Sequence, residues 1–158
     1  MDDLSSVAGE QRDATGMTVT ITEATTDAEI LATRDVMRQL RPSVAEADYV
    51  TTVRRMMDAG YRQVALVEDG DVRAVAGFRI FEMLYTGGPI LYVDDLSTDG
   101  RVRSRGHGRA LLDWLKAEAR RSGCTQLHLD SGVQRESAHR FYFREGLGVN
   151  CFHFRVML

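Results

Sequence analysis

A glycine-rich segment between an apolar run and a helical pattern is the part of this chain best suited to chemistry. It consists of Arg103, Ser104, Arg105, Gly106, His107, Gly108 and Arg109. An apolar run at residues 90–96 precedes it, and leucines at helical spacing follow within residues 109–122. A glycine-rich turn that opens a helix leaves backbone N–H groups unpaired at the positive end of the helix dipole. Such an N-terminus binds anions, so residues 104–109 predict a phosphate cradle.

The residue types in this cradle suit a diphosphate. Glycine permits positive φ, and without a Cβ it lets a ligand approach the backbone closely, which we expect of both Gly106 and Gly108. Arg103, Arg105 and Arg109 add positive charge beside it. A surface loop with solvated arginines has the same composition, so the surrounding sequence must decide between the two interpretations.

Three phosphate-binding motifs compete for the segment. A Walker-type loop requires Gly-Lys followed by Ser or Thr, and the sequence has no such run. A dinucleotide fingerprint requires a third Gly or Ala where this chain has Leu111. Asp130 lies 22 residues after Gly108, like the acid that binds a ribose, which keeps the dinucleotide interpretation open. The third pattern is Arg/Gln-x-x-Gly-x-Gly/Ala, matched by Arg103, Gly106 and Gly108.

This third pattern resembles the pyrophosphate-binding motif of the Gcn5-related N-acetyltransferases, which use acetyl-CoA. The resemblance extends to the neighbouring elements, which are an apolar strand at 93–98, a strand at 127–130 and a helix with Ala138, Tyr142 and Gly146 at the family's intervals. It covers about residues 90–158, and a compatible pattern runs from 18 to 89. One departure is Arg135, where many members carry an Asn that contacts the pantetheine arm.

The resemblance implies an enzyme that moves the acetyl group of acetyl-CoA to a primary amine of a small molecule or peptide by direct attack. It also implies that the whole cradle, Arg103 included, holds the diphosphate. Backbone N–H groups at Leu96, Ser97 and Thr98 would bond the pantetheine and the thioester oxygen. A preorganised N–H at a developing oxyanion contributes roughly 3–4 kcal/mol where it has been measured.

Two residues are candidates for proton transfer. Tyr142 takes the place of the tyrosine that protonates the CoA thiolate, and a phenol stays protonated at neutral pH. Its helical spacing also fits a core aromatic. Strand alternation places Asp94 on the face of Tyr92 and opposite to Asp95, and in the family that face meets the acceptor. Asp94 is therefore a general base, a group that binds the ammonium, or a structural carboxylate that pairs with Arg103.

The acceptor itself has no recognisable motif. In the family the acceptor cleft lies between the first helical region and the third and fourth strands. Arg38, Arg41, Arg79 and Glu82 fall in that region and are weaker candidates for contact with the acceptor. Because one fold serves many chemistries, the acceptor cannot be inferred from the fold.

Length and composition agree with one compact enzyme domain. The chain has 158 residues, 44% of them apolar and 27% charged, and a net charge of −3. Neither nucleic acid nor a membrane is an expected partner, since the chain has no basic excess and no apolar run of spanning length. Two cysteines and four histidines lack metal-ligand spacing. We expect a cytoplasmic protein with an amine as its partner, and the resemblance adds a homodimer as a candidate state.

The order of predicted elements completes the fold expectation. Residues 1–16 predict a disordered leader, and residues 17–158 a single N-acetyltransferase domain. Capping-box patterns at Thr26 and Ser43, each followed by Glu three residues later, predict the starts of two helices. The order is β-α-α-β-β-β-α-β-α-β, with terminal strands in residues 149–158. It predicts an α/β fold with a mixed, mostly antiparallel central sheet flanked by helices, the acyl-CoA N-acyltransferase fold.

A second function, from another class, fits the same cradle. A non-catalytic domain that binds or senses acyl-CoA would keep the phosphate site and lose turnover. Tyr142 in the family register argues against this alternative, and release of free thiol in the presence of an amine would distinguish the two.

Overall fold

A computed structural model of the chain describes residues 11–12, 18–102 and 104–158. The six strands are β1 Gln11–Arg12, β2 Thr18–Glu23, β3 Arg62–Glu68, β4 Asp71–Met83, β5 Gly88–Thr98 and β6 Gln126–Leu129. The α-helices are α1 Asp27–Leu40, α2 Tyr49–Asp58, α3 His107–Arg121 and α4 Glu136–Arg144. Short 3₁₀ turns lie at Glu46–Asp48 and Gly100–Val102.

The strands form one mixed sheet in the order β1-β2-β3-β4-β5-β6. Every neighbouring pair is antiparallel except β5 and β6, which are parallel. The β3–β4 hairpin turns at Asp69 and Gly70, whose φ values of 50° and 86° match the primed turn that the Asp-Gly pair predicts. The predicted fold class, a mostly antiparallel sheet flanked by helices, is confirmed.

Two ends of the chain differ from the predicted order. Most of the predicted leader lies outside the described residues, but Gln11–Arg12 pair with the start of β2. The predicted terminal strands are wrong, because residues 149–158 have no strand structure and their side chains are exposed. Phe152 and Phe154 do alternate as in a strand. A strand also needs a partner edge, however, and no described strand pairs with this segment.

The two capping-box patterns have different outcomes. Thr26 caps α1, since its side chain accepts a hydrogen bond from the Glu29 N–H and the Glu29 carboxylate accepts one from the Thr26 N–H. Hydrogen bonds from the backbone N–H groups of Thr26 and Thr25 hold the pKa of Glu29 at about 2. The Ser43 prediction is wrong. The chain forms a 3₁₀ turn with Ala45 at its cap and no side-chain cap, and Glu46 pairs with Arg34 at 2.7 Å.

This difference predicts unequal effects of two matched substitutions. Thr26→Ala should lower the free energy of unfolding by about 1 kcal/mol, as loss of an N-cap does. Ser43→Ala should change it by less than about 0.5 kcal/mol, as at an ordinary surface site. Urea titration of both variants measures the difference, and equal losses would contradict the assignment of the cap.

The pH dependence of the same cap has a defined sign. Because the pKa of Glu29 falls on folding, the stability that its carboxylate contributes is fully present above its ordinary pKa of 4.5. That contribution is lost as the pH falls through about 2.

The sheet has a hydrophobic core on each of its two faces. On one face Phe78, Leu91, Leu111, Leu112 and Leu115 pack between the strands and α3. On the other face Ile30, Met37, Tyr49, Val53 and Tyr61 pack under α1 and α2. None of the helices in the described ranges is long and apolar enough to cross a bilayer.

Candidate active site

The site is organised by a break in the pairing of β5. Toward β4, Val93 pairs with Phe78 and Asp95 with Gly77, so Asp94 is an extra residue that forms a β-bulge. Toward β6, pairing ends at Val93, which faces Leu129. Within the described part of the chain, residues 94–98 of β5 therefore have no strand partner on that edge. This edge therefore presents backbone groups that no described strand pairs.

The bulge also changes which way the acidic side chains point. Asp94 accepts a hydrogen bond from Arg79 Nε at 2.8 Å. Asp95 accepts hydrogen bonds from Tyr61 Oη at 3.1 Å and from Arg41 Nε at 2.6 Å. Both carboxylates thus lie on the α1–α2 face of the sheet. The predicted placement of Asp95 on the opposite face is wrong, because the extra residue shifts the alternation.

Asp94 lies in a partly desolvated setting, and its carboxylate pairs with Arg79. Its side chain is 24% exposed. Burial raises its pKa, while the hydrogen bond and charge of Arg79 oppose that rise. The predicted structural alternative was a pair with Arg103, which lies outside the described residues. The described partner is Arg79, and the direction of the pKa change brings Asp94 closer to the range useful for a base.

The start of α3 has the backbone geometry of an anion site. Gly106 is the N-cap residue with φ of 87°, and Ser104 before it has φ of 69°. Gly106 provides no side-chain cap, so the first N–H groups of α3 lack this partner. The left-handed Gly106 is followed directly by the right-handed first turn of α3, and successive residues of opposite hand are the backbone pattern of anion-binding nests.

The two glycines of the cradle serve different purposes: Gly106 has a positive φ, and Gly108 allows a close approach of neighbouring elements. Positive φ occurs at Gly106, while Gly108 lies within α3 and has no positive φ, so that part of the expectation is wrong for Gly108. A Cβ on Gly108 would lie 3.1 Å from Thr98 Oγ1 and 3.7 Å from Phe141 Cζ. Gly108 therefore lets the end of β5, the start of α3 and the α4 helix meet closely.

The Arg and His side chains of the cradle that the structure describes have protein partners. His107 Nε2 lies 3.1 Å from Glu68 Oε1, and these side chains are 5% and 3% exposed. Arg105 Nη1 lies 3.2 Å from the other oxygen of Glu68. Arg109 Nε lies 3.5 Å from Glu145. Glu68 belongs to no sequence motif and could not be selected in advance, yet it ties the first turn of α3 to the end of β3.

The other predicted cofactor residues, Leu96, Ser97 and Thr98, lie on the unpaired edge of β5, and their side chains pack within the protein. Ser97 Oγ donates a hydrogen bond to the Val36 carbonyl at 3.0 Å, which joins β5 to α1. Leu96 packs against the core on the α3 face, and Thr98 packs beside Gly108. These side chains hold the open edge in place. A ligand at that edge would meet its backbone.

Tyr142 lies on α4 next to an aromatic that packs into the core. Phe141 packs against the core on the α3 face, and its ring meets that of Tyr142 edge-on with centroids 5.5 Å apart. Burial raises the pKa of Tyr142, and the charge of Arg135 lowers it in part. The phenol therefore stays protonated at neutral pH, as a proton donor requires.

Two further observations concern the kinds of ligand that this site could hold. Asp130 accepts a hydrogen bond from Tyr92 Oη at 2.5 Å and pairs with His153 Nδ1 at 2.9 Å. It is thus engaged within the protein rather than placed for a ribose, which argues against the dinucleotide interpretation. Among the described residues, no group of three or more His, Cys, Asp or Glu side chains is arranged to hold a metal ion.

The sheet order, the bulged β5 and the uncapped start of α3 are the arrangement expected of the acyl-CoA N-acyltransferase fold. The chain belongs to the acetyltransferase (GNAT) family, whose family model matches residues 30–148. It is similar to the uncharacterized N-acetyltransferase YhdJ of Bacillus subtilis, with 34% identity over 76% of this chain and 85% of that protein. The aminoalkylphosphonate N-acetyltransferase of Salmonella typhimurium is 27% identical over 65% of this chain and 67% of that protein.

Solved structures share the fold. The aminoglycoside N-acetyltransferase AAC(6')-Iy in complex with CoA aligns with a TM-score of 0.78 at 14% identity, covering 90% of this chain and 97% of that one. A ribosomal-protein-alanine N-acetyltransferase from Brucella melitensis biovar Abortus 2308 aligns with a TM-score of 0.76 at 15% identity. That alignment covers 89% of this chain and 99% of the other. The family match and the two named relatives, beside this shared fold, make the chain an N-acetyltransferase of the GNAT type.

Proposed function

We propose that this protein transfers the acetyl group of acetyl-CoA to a primary amine of a small molecule or peptide. The observation that carries the proposal is the open edge of β5 at residues 94–98, which leads to the uncapped N-terminus of α3. An extended pantetheine arm can hydrogen-bond to alternate backbone groups of such an edge, as an added strand does. The diphosphate would then lie on the first turn of α3.

Each chemical step of this transfer has a candidate group. Backbone N–H groups at residues 96–98 would polarise the thioester carbonyl, which the amine nitrogen attacks directly. As the amide bond forms, the carbon–sulfur bond breaks and the amine loses a proton. Asp94 would accept that proton, directly or through water, or would bind the ammonium before its deprotonation. Tyr142 would give its proton to the leaving thiolate and recover one from solvent.

The named relatives support an amine as the acceptor. One is named for aminoalkylphosphonates and a structural neighbour for aminoglycosides, and both names imply acceptors with amino groups. Cys124 and the exposed Cys151 are free thiols, which suits a reducing compartment such as the proposed cytoplasm.

Binding of the donor is the first measurable consequence. At about 100 times its dissociation constant, acetyl-CoA should stabilise the folded protein by roughly 2.7 kcal/mol. For a domain of this size that corresponds to a rise in Tm of about 5–11 °C. A thermal scan measures the shift, with dephosphorylated adenosine fragments that lack the diphosphate as the control.

The same protein should release CoA when an amine is added. A panel of primary amines with acetyl-CoA and a thiol reagent tests this directly. Equal thermal shifts with NAD would contradict the assignment of the donor. Acetyl-CoA binding without thiol release for any amine would instead favour a non-catalytic sensor.

A further inference from the structure

A cavity of about 180 Å³ lies between α1, α2 and the sheet, on the same face as Asp94 and Asp95. Most of its wall is apolar and comes from α1, α2 and the segment between them, namely Met37, Val44, Tyr49, Thr52, Val53 and Met56. Asp95 also lines it, together with Tyr61 and Arg41, which hydrogen-bond to that carboxylate. The cavity thus combines an apolar body with one carboxylate that is paired with the Arg41 guanidinium at 2.6 Å.

The carboxylate connects the cavity to the proposed reaction centre. Asp95 directly follows the bulge residue Asp94. It pairs with Gly77 of β4 on one edge of β5 and has no described strand partner on the other edge. Its side chain is 11% exposed and accepts two hydrogen bonds, whereas a carboxylate offers about four acceptor positions. It can therefore still accept a hydrogen bond from a ligand ammonium, and a ligand held there would place its nitrogen beside residues 94–98.

The inner wall of the cavity is held by a satisfied polar network. The hydroxyl of Tyr49 lies 2.8 Å from Thr33 Oγ1 and accepts a hydrogen bond from Gln63 Nε2 at 3.0 Å. Thr33 Oγ1 also lies 3.0 Å from Gln63 Oε1, and all three residues are buried. Fully paired buried networks are rigid, so the cavity is preformed rather than opened by its ligand.

The size of the cavity sets the size of the group that fits. An apolar cavity of about 150 Å³ is large enough to bind benzene. We propose that the acceptor is a primary amine with an apolar group of about the size of a phenyl ring. The cavity takes the apolar group, and the ammonium lies at Asp95 and Asp94. This inference rests on the proposed acetyl transfer and adds the substrate class to it.

Two amines and two variants test the substrate class. For the parent, kcat/KM should be at least about tenfold higher with phenethylamine than with ethylamine, because even one methylene in an apolar pocket contributes that much. Thr52→Phe fills the cavity and should reduce this preference about tenfold, mainly through KM. Thr51→Phe is the matched control, since Thr51 is exposed on the same helix and does not line the cavity. It should keep the preference of the parent.

A third variant and a binding measurement keep the outcomes separate. Met56→Ala enlarges the cavity at a partly buried position, and it should move the preference toward amines with larger rings. Phenethylamine alone should raise the Tm of the parent and of Thr51→Phe but not of Thr52→Phe. This shift is measured without turnover, so it decides the pocket assignment even if no amine releases CoA and the proposed function fails.

Three results would contradict the proposed substrate class. Equal kcat/KM for phenethylamine and ethylamine would overturn the proposal. So would a preference for 2-aminoethylphosphonate that Thr52→Phe leaves unchanged, because the acceptor would then be recognised by cations such as Arg41 and Arg79. A thermal shift by phenethylamine that is the same in Thr51→Phe and Thr52→Phe would also overturn it.

Discussion

Tyr142→Phe should lower turnover by about 10²–10⁴-fold while acetyl-CoA still binds, because the substitution removes the proposed general acid and keeps the ring. The ring contact with Phe141 does not involve the hydroxyl, so the fold should change little. The measurement is CoA release at saturating acetyl-CoA and amine, beside a thermal shift that confirms donor binding. A variant that is folded, binds acetyl-CoA and turns over within about a factor of two of the parent would make Tyr142 a core aromatic.

The pH profile gives a second result for the same variant. Burial raises the pKa of Tyr142, so the parent keeps its acid protonated up to or beyond the usual phenol range near 10. Activity should fall only as the pH rises through that raised pKa, and this basic limb should flatten or move in Tyr142→Phe.

Asp94→Asn is the paired control for the acid assignment. Because burial raises the pKa of Asp94, the parent should lose activity as the pH falls through that raised value. The Asn variant should change this acidic limb or the KM for the amine, and it should bind acetyl-CoA normally. A variant defective in acetyl-CoA binding would show that Asp94 positions the donor instead.

Features that depend on local backbone chemistry could be predicted from the sequence. The Asp69-Gly70 hairpin and the turn at Gly106 each need a left-handed residue, and such residues leave a local signal. The Thr26 cap and the order of helices and strands from β2 through α4 could be predicted in the same way. In each case the residues that make the feature are neighbours in sequence.

Features that depend on distant partners could not be predicted. The bulge at Asp94 exists only in the register of β5 against β4, so simple alternation assigned Asp95 to the wrong face. The pair between His107 and Glu68 joins residues that are 39 positions apart. Ser43 is the converse case. Its local sequence matches a capping box, yet the segment forms a 3₁₀ turn whose N-cap residue is Ala45. Sequence spacing can therefore predict a candidate feature, and the pairing of distant elements determines whether the feature forms.

Gly108→Val should abolish measurable acetyl-CoA binding while the protein still folds. A Cβ at this position would lie 3.1 Å from Thr98 Oγ1, closer than ordinary contact, and the methyl groups of valine would extend further. They would separate the end of β5 from the first turn of α3 or enter the space of the diphosphate. Overpacking of this kind costs about 1–3 kcal/mol. Titration with acetyl-CoA, followed by a thermal or calorimetric signal, measures the loss.

Two variants separate the cradle from the stability of α3. Leu111→Ala removes a fully buried side chain of the same helix and should cost about 2–5 kcal/mol of unfolding free energy, as core truncations do. It should keep acetyl-CoA affinity at temperatures where it is folded, because Leu111 faces the core and not the open edge. Gly108→Ala adds only the Cβ and should weaken binding less than valine does. If Gly108→Val binds acetyl-CoA with the affinity of the parent, the diphosphate does not lie on the first turn of α3, and the open edge of β5 would have to hold the donor alone.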